Sequence, residues 1–140
     1  MSESTLDIIL VDDNQFDAEL ASDVFRRSNL VHDLKVLSDG KIAVNYFLPQ
    51  GEFISSGTCN HPCLVFLDLY LPKVHGLEVL RRIRESDRAK DIPVAVFITS
   101  QDDKDEIEDL HLGVTAYIKK GTDTNAFEKA LIDVLKASAH

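Results

Sequence analysis

Residues 63–68 read Cys-Leu-Val-Phe-Leu-Asp, and this stretch decides the fold. The residues before the aspartate are all apolar, whereas a strand with one face in water would alternate apolar and polar side chains. An uninterrupted apolar run of this kind is typical of a strand that is buried on both faces, as in the middle of a parallel sheet. The stretch therefore predicts a buried strand that ends at Asp68.

Similar apolar runs occur at residues 8–11, 94–98, 114–118 and, more weakly, 34–37. Between these runs, apolar residues recur at the three- and four-residue spacing of one helix face. Strand and helix thus alternate along the whole chain, with short joints between them. This alternation predicts an α/β fold, in which helices cover both faces of a doubly wound parallel sheet and the crossovers are right-handed.

Two predicted helices begin with capping signals. Asn14 precedes an apolar helical pattern and is followed by Asp17, as expected of an N-cap residue and an acidic first turn. Asn125 is followed three residues later by Glu128, which predicts a capping box at the start of the last helix. The longest irregular segment, residues 49–62, is expected to form an extended surface loop.

The 140 residues are 44% hydrophobic, which predicts a single domain over residues 1–140 with its core at about 6–138. No apolar run approaches the ~18 residues of a membrane span. The first residues are polar and acidic, unlike a signal peptide, so we expect a cytoplasmic protein. A net charge of −9 argues against binding to nucleic acid or to an anionic membrane.

Cys59 and Cys63 flank a histidine in the sequence Cys-Asn-His-Pro-Cys, which raises the question of a zinc site. Structural zinc sites use four ligands, and no second ligand pair follows at a suitable spacing. We therefore interpret Cys63 as the first residue of a buried strand and Cys59 as a loop residue.

Polar residues directly follow four of the predicted strands. Ligands of doubly wound sheets bind at the carboxyl ends of the strands, so these residues form a candidate site. They are Asp12 and Asp13, Asp68, Thr99 with Ser100 next to it, and Lys120. Carboxylates this close would raise each other's pKa unless the lysine and a divalent cation neutralised them, and Mg²⁺ prefers such oxygen ligands.

The same residues suit phosphoryl transfer. A carboxylate is ionised at neutral pH, so Asp68 needs no general base to act as a nucleophile. Mg²⁺, the Thr99 hydroxyl and the Lys120 ammonium would stabilise the charge of an aspartyl phosphate. The sequence therefore predicts Asp68 as the phosphoacceptor and Thr99 and Lys120 as the residues that assist it.

Four motifs resemble those of the receiver domains of two-component signalling proteins: ILVDDN at 9–14, LVFLDLYLPKVHG at 64–76, ITS at 98–100 and LGVTAYIKK at 112–120. The resemblance implies a flavodoxin-like (βα)5 three-layer sandwich with a five-stranded parallel sheet in the order 2-1-3-4-5. The long loop at 49–62 and the expected single domain are also similar to the small response regulators that work with bacterial phytochromes.

The resemblance implies a stand-alone response regulator, active in phosphorelay signal transduction, that takes its phosphoryl group from a sensor histidine kinase of the phytochrome or hybrid type. Mg²⁺ would be held by Asp13, Asp68 and the backbone carbonyl of Tyr70, with Asp12 acting through water. Such a protein catalyses only its own phosphorylation and dephosphorylation and is not otherwise an enzyme.

The resemblance also implies a switch. Thr99 would move toward the phosphoryl group on Asp68, and Tyr117 would turn inward to fill the vacated space. The face formed by the fourth helix, the fifth strand and the fifth helix would then change and bind a downstream protein target. We expect a monomer or a weak homodimer that forms through the same face.

The chain departs from the family pattern at several positions. Gly121 follows Lys120 where the family usually has a proline after a cis peptide bond, so the loop is either trans and rearranged or strained. Lys119 is an alternative to Lys120 as the site lysine. Tyr70 and Gln101 should border the path of a hydrolytic water, and a bulky Tyr70 would slow the loss of the phosphoryl group.

Two further departures concern helices. His75, where the family often has aspartate, is interpreted as a turn residue without chemistry. The predicted fourth helix, at about 102–110, is crowded with carboxylates and has few apolar anchors. This helix is either a solvated face or a moving part next to Thr99.

Three other classes of protein are alternatives to a phosphorylated receiver. A phosphatase of the haloacid-dehalogenase type would need a second aspartate where Tyr70 stands. A flavin-binding module would carry Ser, Thr and Gly in the turn that here reads VDDNQFD. A pseudo-receiver, which binds a partner protein without phosphorylation, is the alternative that the sequence leaves open.

Overall fold

The computed structural model describes residues 5–47, 63–71, 75–87, 89–121 and 123–138. Within them, parallel strands form a five-stranded sheet in the order β2-β1-β3-β4-β5. The strands are β1 (Leu6–Val11), β2 (Val31–Leu37), β3 (Cys63–Asp68), β4 (Val94–Ile98) and β5 (Ala116–Lys119). This architecture confirms the predicted flavodoxin-like fold and its strand order.

The described helices lie on both faces of the sheet. They are α1 (Gln15–Ser28), α2 (Gly40–Tyr46), α3 (Gly76–Glu85), α4 (Gln101–Asp109) and α5 (Thr124–Ser138). Buried residues of α1 and α5, such as Phe25 and Leu131, pack in one core with Leu10 and Phe66. A second core joins α2, α3 and α4 to the side chains that point to the opposite face of the sheet.

The parallel register brings the ends of the inner strands to one edge. Val11 lies beside Leu67, and Asp68 lies beside Phe97. On the next strand, Ile98 pairs with Lys119. The residues that follow these pairs therefore share the carboxyl edge of the sheet, as the sequence predicts.

One of the two predicted helix starts is confirmed, and the other is wrong. Asn14 is the N-cap of α1, and its side chain accepts a hydrogen bond from the Asp17 amide at 3.0 Å. The capping box predicted at Asn125 is wrong, because this residue lies inside α5. Asp123 accepts a hydrogen bond from the Ala126 amide at 2.9 Å instead, so the helix begins before Asn125.

Two strands differ from their predicted ranges. β2 begins at Val31, well before the apolar run at 34–37, because it is an edge strand with several exposed side chains. β5 begins at Ala116 and ends at Lys119, shifted along the chain from the run at 114–118. Cys63 opens β3 as predicted, whereas Cys59 and the predicted loop at 49–62 lie outside the described residues.

The helices in the described ranges are too short or too polar to cross a membrane.

Candidate functional site

Three carboxylates meet at the carboxyl edge of the sheet, and we refer to Asp12, Asp13 and Asp68 as the acidic cluster. One oxygen of each lies within 4.8 Å of the others. Asp12 and Asp68 are buried, with 2% and 4% of their surface exposed, whereas Asp13 is exposed. An open cleft of about 510 Å³ lies over the cluster and is also lined by Tyr70 and Thr99. The acidic cluster is therefore accessible from solvent through Asp13.

Lys120 is the cation of this site. Its Nζ lies 2.8 Å from Asp12 Oδ2, 3.0 Å from Asp17 Oδ2 and 3.3 Å from Asp68 Oδ2. Lys119, the alternative from the sequence, is an exposed residue at the end of β5. The structure thus brings Lys120, not Lys119, to the acidic cluster.

Asp17 is a site residue that the sequence indicated only as an acid in the first turn of α1. Its position three residues after the N-cap Asn14 directs it back toward the sheet edge, where it contacts Lys120. That spacing was the available signal, but it does not distinguish an acid that favours the helix N-terminus from one that binds a cation.

Asp12 keeps a raised pKa although Lys120 lies beside it. Burial raises the pKa most, hydrogen bonds from Lys120 and the Asn14 amide oppose burial, the charge of Asp68 adds a smaller increase, and the net result is a pKa of about 6. Burial would lower the pKa of Lys120, but its bonds to Asp12 and Asp17 outweigh burial and raise it. Oxygen donors with excess negative charge are the ligands that Mg²⁺ prefers, so the acidic cluster fits a divalent cation.

The backbone around Asp68 holds its carboxylate in place. Asp68 Oδ1 accepts a hydrogen bond from the Tyr70 amide at 3.1 Å, while Oδ2 faces Lys120. The Gly76 amide donates to the Leu69 carbonyl at 2.9 Å, which brings the start of α3 against the end of β3. A Cβ at Gly76 would lie 2.7 Å from the Leu69 Cα, so only glycine permits this approach.

Thr99 is held by the first turn of α4. Its hydroxyl and its amide each lie 3.0 Å from Asp103 Oδ2 and donate to it. The Tyr70 hydroxyl donates to Asp103 Oδ1, so one carboxylate accepts two hydroxyl groups. Burial would raise the pKa of Asp103, but the hydrogen bonds from Tyr70, Thr99 and Ser100 outweigh burial and lower the pKa.

Asp103 is the residue that the sequence interpretation missed. The sequence places it among the acids of a helix that is either a solvated face or a moving part, yet only 8% of its surface is exposed. The spacing of Ser100 and Asp103 signals the capping box that the structure contains, but not the two hydroxyl groups that reach it from other elements.

Tyr117 lies apart from the acidic cluster. It pairs with Val96 on β4, three residues before Thr99, and packs against the core beneath α4. Lys104 Nζ lies 5.4 Å from the centre of its ring. Burial raises the pKa of Tyr117, and the charge of Glu108 adds to the effect. The structure therefore places this residue against α4, on the strand next to that of Thr99.

The loop after Lys120 is one of the places where the sequence departs from the family pattern. The Lys120–Gly121 peptide bond is trans, and Gly121 has a φ of 85°, which favours glycine. The Lys120 amide donates to the Ile98 carbonyl at 2.7 Å, so the rearranged loop still extends the β4–β5 register. The loop is thus trans, one of the two alternatives that the sequence left open.

Tyr70 and Gln101, both expected beside the path of a hydrolytic water, have different surroundings. Tyr70 lines the cleft, and 47% of its surface is exposed. Gln101 is not among the residues that line it, and its amide donates to Asp105 Oδ1 at 3.1 Å. The Gln101 side chain thus bonds along α4, and its position beside the path of a hydrolytic water stays a prediction. His75, expected in a turn, is the N-cap of α3.

A buried aspartate at the end of β3, within an acidic cluster beside a lysine and a hydroxyl group, defines a receiver domain when the sheet has the order 2-1-3-4-5. Residues 8–132 match the response regulator receiver domain family. The chain belongs to this family.

Two comparisons with the response regulator Rcp1 cover most of the chain. Response regulator Rcp1 of Synechocystis sp. is 39% identical over 113 residues, which cover 81% of this chain and 75% of Rcp1. The Mn²⁺-bound structure of Rcp1 has a TM-score of 0.76 with 33% identity and covers 93% of this chain and 91% of that chain.

Two further solved structures are similar over nearly the whole chain. The bacteriophytochrome response regulator RtBRR has a TM-score of 0.75 and 36% identity, and the match covers 96% of this chain and 78% of that chain. The phosphorylated cyanobacterial phytochrome response regulator RcpA has a TM-score of 0.79 and 29% identity, with coverage of 98% and 94%. The phytochrome-associated response regulators are thus homologues of this chain.

Proposed function

We propose that residues 1–140 form a single receiver domain that accepts a phosphoryl group on Asp68. The observation that carries the proposal is the position of Asp68, whose buried carboxylate lies 3.3 Å from Lys120 Nζ and opens to solvent through the cleft. The phosphorylated state of the relative RcpA supports this assignment.

The reaction requires little from the protein beyond positioning and charge. In transfer from a phosphohistidine, an Asp68 oxygen forms a bond to phosphorus while the bond from phosphorus to the histidine nitrogen breaks, and the released imidazole takes a proton from water. Lys120 compensates the negative charge that arrives with the phosphoryl group. The Tyr70 amide and Lys120 hold the carboxylate in a fixed orientation before the reaction, which reduces the entropic cost of the transfer.

Mg²⁺ is the proposed cofactor, with Asp13 and Asp68 as direct ligands, the Tyr70 carbonyl as a third and Asp12 acting through water. When bound, the ion neutralises charge on the transferring phosphoryl group. The Mn²⁺-bound structure of the relative Rcp1 supports a divalent cation as a ligand of this chain. The donor set consists only of oxygen atoms, which suits Mg²⁺ better than a softer metal.

We propose a sensor histidine kinase as the donor, and the phytochrome response regulators among the relatives favour a kinase of the phytochrome type. Thr99 would leave its place beside Asp103 for the phosphoryl group, and Tyr117 would turn inward. The face of α4, β5 and α5 would change as a consequence and bind a downstream protein.

The test is to incubate the protein with Mg²⁺ and acetyl phosphate and to measure its intact mass. The wild-type protein should gain about 80 Da, the mass of one phosphoryl group, and Asp68→Asn should gain nothing. Asp133→Asn is the matched control, because it removes an aspartate from an exposed ion pair on α5. The assignment is wrong if Asp68→Asn gains the same mass, and a wild-type protein that gains none would favour the pseudo-receiver.

A further inference from the structure

A hydrogen-bonded group joins three elements at the mouth of the cleft, and we refer to Tyr70, Asp103 and Thr99 as the latch. Tyr70 follows β3, Thr99 follows β4 and Asp103 belongs to α4. The hydroxyl groups of Tyr70 and Thr99 donate to different oxygens of the Asp103 carboxylate. The latch thus ties the loop after the phosphoacceptor strand to the helix that begins next to Thr99.

The latch exceeds what a helix cap requires. The capping box needs only the Ser100 hydroxyl, which accepts from the Asp103 amide at 3.3 Å, and the Ser100 amide, which donates to Asp103 Oδ2 at 3.2 Å. The hydroxyl groups of Tyr70 and Thr99 bind Asp103 in addition to this capping box. They come from outside α4, and they explain why this carboxylate is buried while Asp102 beside it is exposed.

The Thr99 hydroxyl has a single proton to donate. While that proton is shared with Asp103, it is not available to an anion on Asp68. A phosphoryl group must therefore compete with Asp103 for Thr99, and a hydrogen bond to a charged acceptor is stronger than one to a neutral acceptor.

Tyr70 adds a second constraint. Its ring lines the cleft, its edge-on contact with His75 has a centroid distance of 5.9 Å, and its hydroxyl end is fixed on Asp103. Both ends of the tyrosine are thus held, so the ring spans from the end of β3 to the start of α4. Release of Asp103 would free the ring together with Thr99.

We propose that Asp103 is a positioning residue that sets the switching equilibrium of the receiver, because it retains the Thr99 hydroxyl in the unphosphorylated position and holds Tyr70 across the cleft. The proposal rests on the proposed function of Asp68. It assigns to Asp103 a role that acts through Thr99 and Tyr70, without contact with the phosphoryl group.

Asp103→Asn keeps the shape of the side chain and one acceptor oxygen for the helix cap, but it replaces a charged acceptor with a neutral one. The latch should then weaken in favour of the bound anion. We expect the affinity for beryllium trifluoride, a phosphoryl analogue, to rise about fivefold. This factor corresponds to the difference in free energy between a hydrogen bond to a charged acceptor and one to a neutral acceptor. Tyr70→Phe removes one bond of the latch and should change the affinity in the same direction by less.

Two controls separate the latch from general effects. Asp102→Asn removes the same charge from the same helix turn at an exposed residue, so it measures the electrostatic part alone. Ser100→Ala weakens the capping box but leaves both hydroxyl bonds of the latch. We expect Ser100→Ala to lower the melting temperature and to leave the affinity within twofold of the wild type.

The experiment measures beryllium fluoride binding at constant Mg²⁺ for these variants, each also in a Thr99→Ala background. Asp103→Asn should strengthen binding relative to Asp102→Asn only when Thr99 is present. Equal affinities for Asp103→Asn and Asp102→Asn, or a gain that persists without Thr99, would overturn the latch. If Asp103→Asn does not fold, Tyr70→Phe decides, and an affinity equal to wild type refutes the proposal. Absence of binding to the wild-type protein, with no mass gain from acetyl phosphate, would instead overturn the proposed function itself.

Discussion

Asp12 is the most deeply buried carboxylate of the acidic cluster, and its protonation links the site to the stability of the fold. Its pKa in the folded chain is about 6, compared with an ordinary value of 3.8. Between these pH values the unfolded chain has lost the proton while the folded chain retains it. The folded state therefore binds more protons in this window, and the free energy of unfolding falls as the pH rises through it.

We predict that, with EDTA present, the Asp12 contribution makes the protein less stable at pH 7 than at pH 4 by about 2 kcal/mol, after allowance for solvent screening. Urea unfolding of wild type and Asp12→Asn across this range measures the contribution as the difference between their profiles. Asp87→Asn, at an exposed position after α3, should keep the wild-type profile. A difference profile for Asp12→Asn that is flat from pH 4 to 7 would contradict the prediction.

Arg84 connects elements around the second core. From the last turn of α3, its guanidinium donates to the carbonyls of Leu112 and Gly113 in the loop before β5, and to those of Lys90 and Ile92 before β4. Burial lowers the pKa of Arg84, and the charge of Asp91 opposes the effect. One planar side chain thus satisfies backbone acceptors of two loops, and this geometry suits arginine and not lysine.

We predict that Arg84→Lys destabilises the protein by about 2 kcal/mol, since an ammonium group does not replace several bonds from a planar fork. Urea unfolding measures the loss. Arg81→Lys is the matched control, because it makes the same change at an exposed position of the same helix. Equal stabilities of the two variants would show that the loop carbonyls do not depend on Arg84.

Some elements of the structure can be predicted from the sequence more fully than others, and the reasons are physical. The strands of the sheet centre were predictable because both faces are buried and the apolar run is continuous, as in β3 and β4. The edge strand β2 was predicted too short because its exposed positions accept polar residues. The site residues at the strand ends followed from the fold, and the structure brings Asp68 and Lys120 together as expected.

The residues that were not predictable depend on contacts between distant elements. Asp17 and Asp103 each lie in the first turn of a helix, where an acid is favourable whether or not it has another partner. Their functional contacts, with Lys120 and with the hydroxyl groups of the latch, exist only after the strands have assembled. Periodicity in one sequence does not report such contacts.

The chain as a whole carries an excess of negative charge, and three of its carboxylates lie together at the site. The chain has a net charge of −9, and the carboxylates of the acidic cluster lie within 4.8 Å of one another. Repulsion among them opposes folding, and among the described residues Lys120 is the cation that offsets it directly. A divalent cation that binds the folded state alone should therefore increase the free energy of unfolding by RT ln(1 + [Mg²⁺]/Kd).

We predict that Mg²⁺ stabilises the protein at pH 7.5 by about 2.7 kcal/mol when its concentration is 100 times the Kd. Asp13→Asn should abolish this response, because it removes a proposed Mg²⁺ ligand that is exposed in the acidic cluster, and it should leave the metal-free protein at least as stable, because it relieves repulsion. Thermal unfolding with Mg²⁺ and with NaCl at equal ionic strength separates binding from screening, which matters for a chain of this net charge. A response to Mg²⁺ that NaCl reproduces, or that Asp13→Asn retains, would mean that the acidic cluster does not bind the ion and that its repulsion is relieved by bulk salt alone.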